Sequence, residues 1–283
     1  ASIYCHANTL AGTKISLPLP SVGATENILL LAAVAPGTTI VHGAAKEPEV
    51  QALAEFLNLC GANIYGTGTD TIRIEGVGRL QSGHCEYMIP PDRMVAGTLL
   101  CAAAMTGGRI CLKNGRAEEL EVPLRLLEET GCRIFIRPEE ILLAAPKRLC
   151  GGCTIATGAY PAFPTDLQPL FMSLLTLADG TCMINETIFE ARFSHALELC
   201  AMGADIRIRG QSAVITGQKK LHGACVYGQD LRAGAALLIA ALAAEGESRV
   251  YGCRFLDRGY EDPQAVFGAL GGTLIRKREK TII

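Results

Sequence analysis

Carboxylates and cations recur in this chain at places where helix ends would put them to chemical use. Asp92, Asp166 and Asp230 each precede an Ala/Leu-rich run, while Lys46, Arg116, Arg192 and Arg258 stand at or just before the start of a second, mixed run. An aspartate at a helix start caps unpaired N–H groups and is worth roughly 1 kcal/mol, which suffices to explain Asp92. A cation there opposes the helix dipole by roughly 0.3–1 kcal/mol, so its recurrence calls for a reason. Lys46 and Arg116 have one in solvated pairing with Glu47, Glu49, Glu118 and Glu119. Arg192 and Arg258 instead lie among aromatic residues and a glycine (FEARF, LDRGYE), and Arg232 adds a guanidinium two residues after Asp230. Guanidinium forks match carboxylates and phosphates. Several of them around one aspartate point to a small, highly anionic substrate and a proton transfer. A further helix start, Ser21-Val22-Gly23-Ala24, has no carboxylate to repel an anion and a glycine that permits close backbone approach. A bound phosphate and a plain serine cap fit it equally.

These residues are placed by a repeat. Val22, Asp92, Asp166 and Asp230 are spaced by 70, 74 and 64 residues. Gly37, Gly107, Gly180 and Gly246 follow at 70, 73 and 66, and Gly61, Gly131, Gly203 and Gly271 at 70, 72 and 68. Such a period marks a repeated supersecondary unit. Each copy predicts an apolar helix (28–35, 97–105, 170–178, 234–244) buried on all sides, then a strand, a mixed helix and alternating β segments. In the first mixed helix, Leu53, Phe56 and Leu57 form the expected apolar stripe. Cys150-Gly-Gly-Cys153 resembles a metal or redox motif, but it occupies the slot that Leu10–Ile15 and Leu221–Val226 fill elsewhere, and no second CxxC completes a zinc site. It is expected to be a strand. His195 and the other histidines lack ligand spacing and read as structural. Small sheets around apolar helices imply α/β lobes, with an open α/β sandwich as the alternative.

With 283 residues, 49% of them apolar, and a net charge of -2, the chain can bury large cores in two lobes, and its charge does not suit nucleic acid. Its longest apolar run, Ala233 to Ala244, is far short of the roughly 20 residues that span a bilayer, so no membrane segment is expected. Twelve scattered cysteines in a chain of this size fit a reducing cytoplasm better than a disulfide framework. The first residue is Ala1, so a beginning removed or never included is expected.

At specific stretches the chain resembles the UDP-N-acetylglucosamine 1-carboxyvinyltransferases, enolpyruvyl transferases that open peptidoglycan synthesis. The matching segments are Pro20–Asn27 (PSVGATEN), Ala44–Glu49 (AAKEPE), Gly68–Gly76 (GTDTIRIEG), Pro91–Arg93 (PDR), Pro161–Gln168 (PAFPTDLQ), Glu186–Glu190 (ETIFE), Asp230–Ala233 (DLRA) and Asp257–Glu261 (DRGYE). The resemblance runs from about Leu10 to the C-terminus. It implies an α/β fold of two inside-out α/β barrel lobes built from βαβαββ-like units, with the active site in the cleft between the lobes and about four of the six repeats in this chain. Residues 1–90 would be the end of the first lobe and 91–283 nearly all of the second.

The resemblance also implies roles. Asp166 would be the base facing the sugar 3-hydroxyl, which adds to C2 of phosphoenolpyruvate to give a ketal that loses phosphate. Arg232 and the catalytic Arg258 would hold the phosphoenolpyruvate phosphate and carboxylate, with Arg192 nearby. Leu19, Pro20, Ser21, Val22, Gly23 and Ile188 would touch UDP-N-acetylglucosamine. No metal and no cofactor is expected. The partners are the two small substrates and a missing N-terminal segment that completes the fold. The family's Lys-Asn pair, its further arginines and its cysteine-bearing loop would lie upstream, and Cys5 is in the wrong element to replace that cysteine. The isolated chain is therefore expected to be inactive. Val95, Ala191, Gln229, Tyr160 and Pro90-Pro91 depart from the family pattern. The alternatives are the sister enzyme acting on shikimate 3-phosphate and a non-catalytic sugar-nucleotide-binding protein.

Overall fold

The computed structural model describes residues 2, 4, 6–81, 83 and 85–277. They divide into two compact units, one of residues 1–90 with 159–161, the other of 91–158 with 162–283. The first runs β1 (Lys14–Ser16), α1 (Val22–Ala32), β2 (Gly37–His42), α2 (Pro48–Leu59), β3 (Asn63–Tyr65) and β4 (Thr71–Gly76). Its sheet has the order β1-β2-β4-β3, with β1 parallel to β2 and the other pairs antiparallel. The period-2 pattern of these strands buries Val41, Ile64, Ile72 and Ile74 in one core with Leu29, Ala33, Val50, Ala54 and Leu57 from the helical side. One expectation fails here and another, the α2 stripe, holds for Leu53 and Leu57 but not for Phe56. Helix α1 is not buried on all sides, because Leu30 and Leu31 are 49% and 56% exposed. The buried stripe of α2 runs through Val50, Ala54 and Leu57, while Phe56 turns outward to meet the ring of Tyr87 at 5.8 Å.

The second unit continues with α3 (Arg93–Met105), β5 (Arg109–Lys113), α4 (Glu121–Glu129), β6 (Arg133–Arg137), β7 (Glu140–Ala144), β8 (Leu149–Cys150) and β9 (Thr154–Ala156). There follow α5 (Gln168–Leu175), β10 (Ala178–Asp179), β11 (Thr181–Asn185), α6 (Ser194–Ala201), β12 (Asp205–Arg209), β13 (Ser212–Thr216) and β14 (Cys225–Tyr227). The last elements are α7 (Leu231–Ala243), β15 (Arg249–Tyr251), α8 (Cys253–Leu256) and α9 (Pro263–Ala269). Helices α3, α5 and α7 pack on one another. Every residue of α5 is buried, as is Ala233–Ala240 of α7, which is what helices without a polar face require. One core joins these helices to Leu112, Ile141, Ile155, Ile184, Ile215 and Val226 of the strands. The sheet β12-β13-β11-β9 repeats the pairing of the first unit, parallel at β9–β11 and antiparallel elsewhere. The remaining sheets are β5-β7-β6, β8-β10 and β14-β15.

Backbone hydrogen bonds recur at the spacing of the glycines. Helices α2, α4, α6 and α9 all end with a left-handed glycine, at φ +91° for Gly61, +91° for Gly131, +97° for Gly203 and +91° for Gly271. In each, the next residue's N–H reaches back across the last turn, from Ala62 to Leu57 O, Cys132 to Leu127 O, Ala204 to Leu199 O and Gly272 to Phe267 O. This is the Schellman closure, and only glycine enters it without a Cβ penalty. Gly12, Gly151 and Gly223 likewise donate to Pro36 O, Asp179 O and Glu245 O at 2.7–2.8 Å. The CxxC stretch belongs to this pattern: Cys150 ends β8, Gly151 makes the recurring bond, and Cys153 precedes β9.

Candidate active site

The three anchor aspartates do not do the same work. Asp92 caps α3, accepting from the N–H of Met94 (2.7 Å) and Val95 (3.1 Å). Asp230 caps α7 in the same way through Arg232 and Ala233, both at 2.8 Å. Asp166 caps nothing. It sits in a short 3-10 turn, Thr165–Leu167, entered from Pro164 and running straight into α5, and its carboxylate accepts no helix N–H. That carboxylate is free for other partners.

Two guanidiniums take it, one from each side. Arg192 Nη2 donates to Asp166 Oδ1 at 2.7 Å. Arg232 donates to Oδ2 from Nε at 3.0 Å and approaches it with Nη2 at 2.8 Å. The arginine side chains are only 20% and 18% exposed, against 37% for Asp166. Burial alone would raise the Asp166 pKa, but the charges of Arg232 and Arg192 and their hydrogen bonds outweigh it, leaving the carboxyl below its ordinary value. The guanidinium of Arg192 also lies over the Phe189 ring, 4.6 Å from its centroid, and Nη1 donates to Thr165 Oγ1 at 2.8 Å. Arg232 has Tyr260 behind it, whose phenol is pushed up chiefly by burial even though a Thr98 hydrogen bond and the Arg232 charge lower it.

Asp166, Arg192 and Arg232 line a pocket of about 360 Å³ with Phe189, Ala191, Asp230, Leu231 and Arg258. Arg258, in the turn after α8, has a guanidinium with no hydrogen-bond or ion-pair partner among the described residues. The pocket thus offers three cations, a carboxylate held ionised, and an aspartate committed to a helix cap. It can receive a doubly or triply charged anion, and when that anion takes guanidinium contacts from Asp166 the carboxylate becomes a stronger base.

Of the residues expected to bind substrate, Asp166, Arg192, Arg232 and Arg258 come together. Ile188 is 43% exposed on the loop after β11 and does not line the pocket. Leu19, Pro20, Ser21, Val22 and Gly23 belong to the other unit, at the start of α1. There Ser21 Oγ accepts from Ala24 N–H at 3.3 Å as a cap, and Leu19 is 70% exposed. Arg116 pairs with Glu119 at 3.1 Å as expected, but the pair is not fully solvated, since the Glu119 side chain is only 9% exposed. His195 is 3% exposed and is not among the pocket residues. Cys5 lies outside the described residues. Sequence reasoning missed Thr165, Glu186 and Tyr260. The signal for Thr165 and Glu186 was only their place inside the quoted motifs, since their partners are long-range.

Arginines around a carboxylate, on an α/β scaffold of buried helices, make a pocket suited to anionic small molecules. A family model described as EPSP synthase (3-phosphoshikimate 1-carboxyvinyltransferase) matches residues 1–266, and the chain belongs to that family. It is 48% identical over 97% of its length to UDP-N-acetylglucosamine 1-carboxyvinyltransferase 2 of Caldanaerobacter subterraneus subsp. tengcongensis, and 47% identical over 98% to UDP-N-acetylglucosamine 1-carboxyvinyltransferase of Nitratidesulfovibrio vulgaris. It spans 65% and 66% of the length of those two relatives. Among solved structures, the enolpyruvyl transferase NikO from Streptomyces tendae matches with a TM-score of 0.82 at 27% identity, covering 94% of this chain and 65% of that one. EPSP synthase from Acinetobacter baumannii matches at 0.68 and 20% identity over 96% and 64%, a likeness of fold alone. No helix among the described residues is long and apolar enough to cross a membrane.

Proposed function

We propose that this sequence serves, in a complete protein, to transfer the enolpyruvyl group of phosphoenolpyruvate to the 3-hydroxyl of UDP-N-acetylglucosamine with release of phosphate, an early step of peptidoglycan synthesis. The observation that carries this is Asp166 held between Arg192 and Arg232, with the unpaired Arg258 in the same pocket. Asp166 takes the proton of the sugar hydroxyl as its oxygen bonds to C2 of phosphoenolpyruvate, while the C2=C3 electron pair takes a proton at C3 from a general acid outside this pocket, giving a tetrahedral ketal with a methyl group. Arg232 and Arg258 hold the phosphate and carboxylate, and Arg192 stabilises the charge that develops. The C2–O bond to phosphate then breaks, and loss of a methyl proton restores the double bond. Ile188 and the segment Leu19–Gly23 contact the sugar nucleotide. Identity of 46–48% to UDP-N-acetylglucosamine 1-carboxyvinyltransferases favours that acceptor.

In this reading residues 1–90 end one inside-out α/β lobe and 91–283 form most of a second, with about four of six repeats present. The recurring glycine closures support the repeat. The exposed Leu30 and Leu31 of α1 support a first lobe that needs further helices, since α3, α5 and α7 cover such faces mutually. The polypeptide of residues 1–283 alone releases no phosphate, and the site of action is the cytoplasm.

The test is phosphate release from phosphoenolpyruvate by the full-length protein, with UDP-N-acetylglucosamine or shikimate 3-phosphate as acceptor. Turnover with the sugar nucleotide only, abolished by Asp166→Ala while sugar-nucleotide binding persists, is expected. Turnover with shikimate 3-phosphate, or retained turnover in Asp166→Ala, overturns the assignment.

A further inference from the structure

Glu186 directly follows β11 with 1% exposure, yet no cation touches it among the described residues. Its carboxylate is satisfied by neutral donors alone. Oε1 accepts from Thr157 Oγ1 at 2.8 Å and from the backbone N–H groups of Ile188 at 2.9 Å and Phe189 at 3.2 Å, while Oε2 accepts from Thr165 Oγ1 at 2.8 Å. A buried carboxylate survives only when its lone pairs are filled in this way. An amide in its place would present donors where hydroxyl donors already point. The connection onward is direct. Thr165 Oγ1, its proton spent on Glu186, accepts from Arg192 Nη1 at 2.8 Å, and Nη2 of the same guanidinium grips Asp166 at 2.7 Å.

We propose that Glu186 is a positioning residue which, through Thr165, fixes the Arg192 guanidinium against Asp166 and ties that pair to the backbone of Ile188 and Phe189. The consequence for chemistry rests on the enolpyruvyl-transfer reading. A sugar nucleotide that presses on the 188–189 backbone then bears on the guanidinium holding the base, so acceptor binding and base strength are mechanically linked. The geometric part stands without that reading. Phe189, which Glu186 also anchors, supplies the ring beneath Arg192, so two of the contacts that orient this guanidinium lead back to one buried carboxylate.

The experiment compares Thr165→Val, which keeps the shape and removes the hydroxyl, with Thr165→Ser, which restores it, and with Glu186→Gln. On the 283-residue chain without substrate, carbon-detected NMR of the Asp166 carboxyl reads its pKa. Thr165→Val and Glu186→Gln are expected to raise it by about half a unit or more, as a loosened cation requires, with Thr165→Ser near the parent value. In the full-length protein the same two variants lower kcat about tenfold and move the acid limb of the kcat profile to higher pH, with a smaller change in the KM for phosphoenolpyruvate. If Glu186→Gln does not fold, the threonine pair alone decides. An unchanged Asp166 pKa in Thr165→Val overturns the proposal and leaves Glu186 a shaper of the turn. A shifted pKa in a full-length protein that transfers no enolpyruvyl group keeps the positioning role and removes the proposed function.

Discussion

Thr98 on α3 and Tyr260 in the turn after α8, 162 residues apart, share a hydrogen bond of 2.7 Å between their hydroxyls. Its direction follows from a second bond. Thr98 Oγ1 gives its own proton to Met94 O at 2.8 Å, so the phenol must donate to Thr98, and its oxygen lies within the field of the Arg232 charge. Arg232 is thereby backed by a tyrosine anchored in a buried helix, as Arg192 is backed by Thr165.

Removal of that phenol is expected to show in stability first. Tyr260→Phe keeps the ring and deletes the half-buried bond, costing about 1 kcal/mol in urea unfolding. The freed Arg232 should also let the Asp166 pKa rise toward its ordinary value. Unfolding and titration curves that both superpose on the parent's would show that Tyr260 backs nothing.

Two glycines outside the repeat anchors are expected to tolerate no side chain. A Cβ at Gly76 would fall onto the carbonyl oxygen of Ala35, and one at Gly217 onto that of Ala178, in both cases where the chain leaves a helix beside the end of an antiparallel strand. Gly76→Ala and Gly217→Ala should each cost about 2 kcal/mol or more, since backbone must shift. Gly268→Ala, within α9 where a Cβ meets nothing within 4 Å, should instead gain up to about 1 kcal/mol. Equal effects in all three variants would contradict this account of the packing.

His195 makes stability depend on mildly acidic pH. Burial first, and then the charge of Arg192, lower its pKa from 6.5 to about 4 against the opposing pull of Asp230, and its Nε2 has no hydrogen-bond partner among the described residues. Between those values the unfolded chain binds a proton that the folded chain refuses, so stability falls as pH drops from about 6.5 to about 4, by roughly 3 kcal/mol in all. Asp166, with its pKa below 3.8, contributes its loss only beneath that window. His195→Leu should flatten the slope of unfolding free energy between pH 4 and 6.5 relative to the parent. A slope unchanged by the substitution would mean that the imidazole already titrates normally.

What was legible in the sequence was what repeats. Gly61, Gly131, Gly203 and Gly271 announced four helix ends because one backbone closure demands glycine each time. Arg192, Arg232 and Arg258 stood out because helix starts are poor places for cations. Apolar runs predicted burial correctly for α5 and α7 but not for Leu30 and Leu31 of α1, because a run records what a helix can bury and not whether neighbours are there to bury it. Nor could spacing separate Asp166 from Asp92 and Asp230. The difference is a 3-10 turn that carries its carboxylate off the helix axis, and that turn is set by Pro164 and by contacts made with residues 26 and 66 positions away.

The same geometry makes Asp166 a competitor of any anion that enters the pocket. Its charge already occupies Arg192 and Arg232, so inorganic phosphate must either share these guanidiniums or rely on Arg258. Asp166→Asn removes the competing charge while keeping the shape, and it should bind phosphate more tightly, by about tenfold at low salt, where one charge-assisted contact is worth about 1.4 kcal/mol. Arg258→Gln should weaken binding by a similar factor and reduce its dependence on salt, because it removes the cation that has no partner among the described residues. Calorimetric titration of the 283-residue chain with phosphate measures both. Weaker binding in Asp166→Asn would mean that the carboxylate holds the arginines in their binding posture more than it competes for them, and base strength could not then be coupled to anion occupancy.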